Sequence, residues 1–265
     1  MFADPHAYQR FMGRWSQLLA PRFAEFAGIA DGWRVLDVGS GSGSLALAIA
    51  SRHPGCRIVG IEPSADYVSF AASRAAGANV HFSVGAAEDL PFAAASFDAG
   101  VSLLVFNFLR NPQRALAELR RVTRPGGKVC AAVWDYADGM RMLRIFWDAA
   151  SRLSPGAGQA DEARMPLCRP GELGALWRAG GITAVEERPL EIAMRFESFD
   201  DYWEPFLLGQ APAGAYVAQL APEDRFLLRD QLKQLLPPQA NAGAFDLSAR
   251  AWAVRGTAPG SLDET

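Results

Sequence analysis

The apolar positions of this chain change period along its length. From Tyr8 to Phe26 they recur at helical spacing, at Phe11, Trp15, Leu18, Leu19, Phe23 and Phe26. Pro21 falls inside this stretch, so the pattern predicts two short helices meeting near it. From Trp33 onward, short apolar runs alternate with amphipathic ones. Strands are predicted at 34–38, 57–61, 79–83, 97–103 and 128–134. Helices are predicted at 45–52, from the cap Ser64 to about 76, and from the cap Asn111 with Pro112 to about 122. Pro125-Gly126-Gly127 reads as the turn into the fifth strand.

Beyond residue 135 the rhythm changes. A helix at 139–153 precedes a Gly/Pro-rich loop at 154–170, a helix at 171–179 and a strand at 182–187. A mostly helical, aromatic-rich stretch at 199–236, a last strand at 247–255 and a frayed tail complete the pattern. Strand–helix alternation at these lengths implies right-handed crossovers, hence an α/β, doubly wound, mostly parallel sheet with helices on both faces.

Composition narrows the class. The 265 residues suit one domain with an added lobe, and 50% hydrophobic content can build a sizeable core. With 26 basic and 29 acidic residues the net charge is −3, which gives no bulk attraction to phosphate backbones, so nucleic acid is not an expected partner. The most apolar run, Ala99 to Leu109, is about half of the ~20 residues a membrane span needs. No apolar signal core precedes Asp4 and His6, so a soluble, cytoplasmic protein with no membrane partner is expected. Cys56, Cys130 and Cys168 show no CxxC spacing and read as buried or idle thiols. His6, His53 and His81 have no partner at ligand spacing, so no metal is expected.

The chemistry concentrates at Val35-Leu36-Asp37-Val38-Gly39-Ser40-Gly41-Ser42-Gly43-Ser44, which follows a strand and opens a helix. Glycines there permit a sharp turn and close approach of a ligand, and the helix N-terminus offers N–H groups to an acceptor. Gly41-x-Gly43-x-x-Ala46 also fits a dinucleotide fingerprint, with Glu62 downstream as a ribose acceptor. On that basis an NAD(P)-dependent oxidoreductase is one alternative. Against it, Asp37 would repel a pyrophosphate but could accept from a cationic amine.

The runs LDVGSGSG, IEPS, GAAEDLPF, SFDAGVS and ALAELRRVTRPGGKV occur in order from Trp33 to about Trp134. With them the chain resembles the class I S-adenosylmethionine-dependent methyltransferases, specifically the small-molecule, type 11-like branch. The resemblance implies a seven-stranded sheet of order 3-2-1-4-5-7-6 with the last strand antiparallel. It also implies N-terminal helices and a helical insertion between the last two strands. Residues 1–265 would then form a single methyltransferase domain. Its parts would be a helical lid at 1–32, a cofactor-binding half at 33–135, and helices with the sixth strand at 136–197. A helical cap over the acceptor at 198–240 and the last strand at 246–256 would follow.

By the same resemblance, Asp37, Gly39, Ser40 and Gly41 would flank the methionine part of S-adenosyl-L-methionine, with S-adenosyl-L-homocysteine as product. Glu62 would hold the ribose hydroxyls, Pro63 and Ser64 would lie near the adenine, and Ala87 and Glu88 at its edge. The chain departs from the family at Gly85-Ala86-Ala87, where a carboxylate often accepts from the adenine amino group. Leu104, Tyr8 and Trp15 are further candidate cofactor contacts, the last two within a leader that folds over the cofactor in relatives.

Methyl transfer from a sulfonium is an in-line displacement that needs alignment and exclusion of water more than strong acid–base groups. Asn107 is the candidate for orienting an acceptor and Asp135 for a base or cation partner. Phe106, Trp134, Tyr202, Trp203 and Phe206 are candidate pocket walls, suited to an apolar or aromatic small molecule. An RNA or protein methyltransferase is the remaining alternative, disfavoured by the net charge.

Overall fold

The computed structural model describes residues 4–260. Seven strands form one sheet: β1 (Arg34–Val38), β2 (Arg57–Glu62), β3 (Val80–Val84), β4 (Phe97–Leu103), β5 (Thr123–Trp134), β6 (Thr183–Phe196) and β7 (Phe245–Thr257). Their order is β3-β2-β1-β4-β5-β7-β6, with β7 antiparallel, as expected from the resemblance. β1 pairs in parallel with β2 on one side and β4 on the other, Val35 lying opposite both Ile58 and Ala99. The strand order reverses between β1 and β4. In such sheets ligands bind beyond the carboxyl ends of the strands at this point.

The helices are α1 (Pro5–Tyr8), α2 (Arg14–Ala27), α3 (Ser44–Arg52), α4 (Ala65–Arg74), α5 (Pro112–Val122), α6 (Arg141–Leu153) and α7 (Glu172–Ala179). They continue with α8 (Phe199–Trp203), α9 (Ala211–Gln219) and α10 (Pro222–Leu235). Ser64 and Asn111 cap α4 and α5 through their side chains, as their sequence positions suggest.

Four local expectations are corrected. Helix α2 runs unbroken through Pro21, which lies on the exposed face, where the carbonyl that loses its N–H partner can be solvated. The irregularity falls earlier, in a π-helical turn at Gln9–Gly13. Pro125-Gly126-Gly127 does not precede β5 but bulges within it: Phe97 pairs with Thr123, then Ala99 with Lys128. The tail is held as far as Ala258, which is buried and exchanges hydrogen bonds with Gly126 and Gly127 at 3.0 and 2.9 Å. Its last five residues, 261–265, lie outside the described residues. Finally, β6 continues well past Glu187, through Pro189. Leu190, Ile192, Met194 and Phe196 are buried in alternation with exposed residues, which is the period of a half-buried strand.

The chain divides into two compact units. One comprises Ser16–Val133, Pro166–Leu190 and the chain from Ala251 onward. Its helices seat on small residues: a Cβ at Gly100 would meet Leu119 at 2.5 Å, and one at Gly180 would meet Leu116 at 2.5 Å. The other comprises the chain up to Trp15, Trp134–Met165 and Glu191–Arg250. Its core is aromatic. Phe146 stacks on Phe206 with centroids 4.5 Å apart, Phe11 meets Phe206 edge-on at 5.3 Å, and Phe196 stacks on Phe245 at 5.2 Å. No helix among the described residues is long and apolar enough to cross a membrane.

Candidate functional site

The glycine turn is built from backbone geometry. Gly39, Gly41 and Gly43 all have positive φ (72°, 50° and 80°), and a Cβ at Gly39 would strike the Val105 side chain at 2.5 Å. Val105 follows β4, so the end of that strand is pressed directly against the turn. Ser102 ties the same two strands together by donating to the Val38 carbonyl at 2.8 Å. The turn's own amides are mostly engaged. Gly39 and Ser40 both donate to the Ile61 carbonyl, at 2.8 and 3.0 Å, and Gly43 donates to Ser40 at 2.8 Å. Gly41 donates to Glu62 Oε2 at 3.1 Å. These residues therefore do not form an open cradle of N–H groups for phosphate.

Two carboxylates face this turn. Glu62 ends β2, and its Oε1 accepts from the Ser64 amide at 3.2 Å while Oε2 takes Gly41. Each oxygen keeps a further lone pair, the arrangement a vicinal diol needs. Burial pushes Glu62 above the usual carboxylate range, and the two amides pull it back. Asp37 is 1% exposed, and neither of its oxygens has a hydrogen-bond partner. Its cross-strand neighbours, Gly60 on β2 and Val101 on β4, offer no polar side chain. Burial raises Asp37 from 3.8 to about 7; the Ala46 amide offsets part of this without reaching hydrogen-bond geometry, and Glu62 adds to it. The Ser40 hydroxyl is likewise buried without a partner.

The segment after β3 is clamped to the same edge. Gly85 donates to the Glu62 carbonyl at 3.1 Å. Ala87 is buried and Glu88 half-buried, while Pro63 is exposed beside Ser64. Helix α5 holds this segment from below: Arg114 donates to the Glu88 carbonyl, Arg121 to those of Leu90 and Phe92, and Glu118 accepts from the Leu90 amide at 3.0 Å. Arg121 keeps Glu118 below its ordinary range. Glu118 escaped the sequence reading, yet it was legible there. It falls on the apolar face with Ala115, Leu119 and Val122, where an unpaired carboxylate would be costly.

Leu104 closes β4 with φ of 65°, a strained conformation for a non-glycine residue of the kind found at functional sites, and it is held by a 2.7 Å bond to the Ala132 carbonyl. Phe106 and Asn107 form a 3₁₀ turn with Phe108 and are both buried. The Phe106 ring packs edge-on against Trp177 at 4.9 Å, and Trp177 donates to the Val129 carbonyl.

The remaining candidates lie in the aromatic unit. Trp15 packs on Phe196 at 5.0 Å beneath the Arg14 guanidinium, which pairs with Asp201 at 2.8 Å. Tyr8 ends α1 and is half-buried. Trp134, Tyr202, Trp203 and Phe206 are all buried, and the Tyr202 hydroxyl donates to the Met142 carbonyl at 3.0 Å. Of the two roles considered for Asp135, base or cation partner, its contacts are those of a cation partner. One oxygen takes both Nε and Nη2 of Arg250, at 2.8 and 2.6 Å, and the other takes the Asp138 amide. The sequence reading also passed over Glu162, in the loop at 154–170. This carboxylate is 3% exposed, accepts from the Trp147 indole and the Ala213 amide, and is raised by burial to about 7. Among the described residues no cluster of His, Cys, Asp and Glu could hold a metal ion.

Residues 36–131 match the family described as "Methyltransferase domain". The match covers β1 to β5, the stretch that bears the turn and both carboxylates. An uncharacterized protein of Mycobacterium tuberculosis is 35% identical over 118 residues, 44% of this chain and 42% of that protein. The chain thus spans less than half the length of the first curated relatives it matches. The malonyl-[acyl-carrier protein] O-methyltransferase of Geobacter sulfurreducens is 32% identical over 185 residues, 64% of this chain and 66% of that enzyme. Among solved structures, phosphoethanolamine N-methyltransferase 2 of Haemonchus contortus, in complex with phosphomonomethylethanolamine and S-adenosylhomocysteine, has a TM-score of 0.60 at 18% identity. That likeness covers 96% of this chain and 57% of that one. At this identity it establishes the fold of the methyltransferase domain.

Proposed function

We propose that this protein is an S-adenosylmethionine-dependent methyltransferase acting on a small molecule. The observation that carries the reading is the pair of carboxylates at a turn whose amides are already bonded internally. Asp37 and Glu62 are acidic groups where a dinucleotide would need to place its pyrophosphate, so the oxidoreductase reading is disfavoured. The same groups suit a nucleoside with a cationic amino-acid tail: Glu62 keeps lone pairs for the ribose diol, and Asp37 is a buried carboxyl group whose oxygens have no hydrogen-bond partner.

When bound, the cofactor supplies an electrophilic methyl group on sulfur. The chain's own residues align and shield. Glu62 would hold the ribose, Gly39, Ser40 and Gly41 the methionine end, Pro63, Ala87 and Glu88 the adenine, and Leu104 the carboxyl edge of β4. Asn107, next in the chain, is the candidate for orienting the acceptor, with Phe106 as a wall. The acceptor is a small molecule in this reading because the net charge is −3 and the named relatives act on a phosphobase and a carrier-bound acyl group.

Calorimetric titration with S-adenosylmethionine, S-adenosylhomocysteine and NADH tests the reading. Binding of both adenosyl ligands is expected. Tight NADH binding without an adenosyl signal would overturn it.

A further inference from the structure

Asp37 is a buried acid with both flanking strand positions apolar and with no hydrogen bond to either oxygen. The groups that face it or its turn can be named element by element. Glu62 from β2 is a like charge; α3 presents the Ala46 amide; β4 presents Ser102, already committed to the Val38 carbonyl. Arg74 from α4 reaches the turn but donates to the Ser42 carbonyl at 2.7 Å, and burial weakens its hold on its proton. Arg74 is thus directed onto a carbonyl and not onto Asp37, and none of these elements supplies a hydrogen bond to the Asp37 oxygens.

We propose that Asp37 is a proton-linked recognition residue: it holds a proton in the free protein and releases it when the cationic amino-acid end of S-adenosylmethionine or S-adenosylhomocysteine is seated at the turn. The inference rests on the cofactor reading above. In the step, the Asp37 O–H bond breaks, the proton passes to solvent, and the carboxylate left behind balances the ligand's ammonium. An ionised carboxylate in a desolvated site is unfavourable alone and favourable beside an opposite charge, so binding and deprotonation reinforce each other. The apo value near 7 puts the exchange in the neutral range.

Calorimetry of the full chain at pH 7, in phosphate and in imidazole buffer, counts the protons released. About half a proton per S-adenosylhomocysteine bound is expected, with affinity about tenfold weaker at pH 6 than at pH 8. Asp37→Asn should abolish both effects and weaken adenosyl binding at pH 8, because the ligand's ammonium then lacks its counter-charge. Carbon-13 carboxyl-labelled aspartate gives a measurement that needs no variant: one resonance should titrate near neutrality in the free protein and cease to do so with S-adenosylhomocysteine bound. Binding without proton release, or no aspartate titrating between pH 6 and 8, overturns the inference and leaves the cofactor reading intact. Absence of adenosyl binding overturns both.

Discussion

Glu162 makes the stability of the protein depend on pH in a direction opposite to that of most carboxylates. Its ordinary value is 4.5 and burial raises it to about 7, despite the bonds from Trp147 and Ala213. The folded chain therefore holds this proton more tightly than the unfolded chain. Protonation favours folding, so stability is highest below the unfolded value and falls as pH rises through the window from 4.5 to about 7. Between pH 5 and pH 8 the loss is roughly 2–3 kcal/mol, from 1.36 kcal/mol per pKa unit and the fractional ionisation of each state. Glu162→Gln removes this share. The glutamine amide group will face one of the two donors that the carboxylate accepted, a cost of roughly 1–3 kcal/mol that does not vary with pH. Urea unfolding of both proteins at pH 5 and pH 8 isolates the linked part, because the fixed cost cancels in the difference. The variant should gain roughly 2–3 kcal/mol relative to the parent over this interval. A stability difference that stays constant from pH 5 to pH 8 would refute the reasoning. Asp37 contributes to the parent slope with the same sign, between 3.8 and about 7, and that part remains in the variant.

Other substitutions probe the remaining geometry. Glu62→Ala should weaken S-adenosylhomocysteine binding by about 1–3 kcal/mol through lost charge-assisted hydrogen bonds; unchanged affinity by calorimetry would show that the ribose lies elsewhere. Gly39→Ala should lower thermal stability through its positive φ and the collision with Val105, and adding Val105→Ala should recover part of the loss, leaving the backbone strain. Asp135→Asn should destabilise the fold by roughly 1–3 kcal/mol by loosening Arg250, with the turnover of folded enzyme retained; a rate collapse in well-folded protein would restore Asp135 as a base. Asn107→Ala should slow methyl transfer to an acceptor found by screening with labelled cofactor, at unchanged cofactor affinity, and an unaffected rate would remove Asn107 from the site.

The sequence determined what short-range rules govern. The alternation of strand and helix from Trp33 to Trp134 was legible because each element's apolar period is contained in a few residues. Ser64 and Asn111 were legible as caps because a cap acts within its own helix turn. The glycine turn was legible because Gly39 and Gly43 occupy conformations that other residues rarely adopt. Pattern alone ended β6 too early, since Pro189 interrupts the run, whereas the alternating burial of Leu190, Ile192, Met194 and Phe196 carries the strand on.

Tertiary structure decided what depends on distant partners. Asp135 could be read as a base or as a cation partner, and its cation, Arg250, lies 115 positions away. Glu162 looked like loop charge until Trp147 and Ala213 enclosed it. The glycine turn looked like a source of free N–H groups for an acceptor until Ile61 and Glu62 took several of its amides. The physical reason is the same in each case. A polar group's charge state and free valences are set by desolvation and by its hydrogen-bond partners, and both arise only when residues far apart in the chain are brought together.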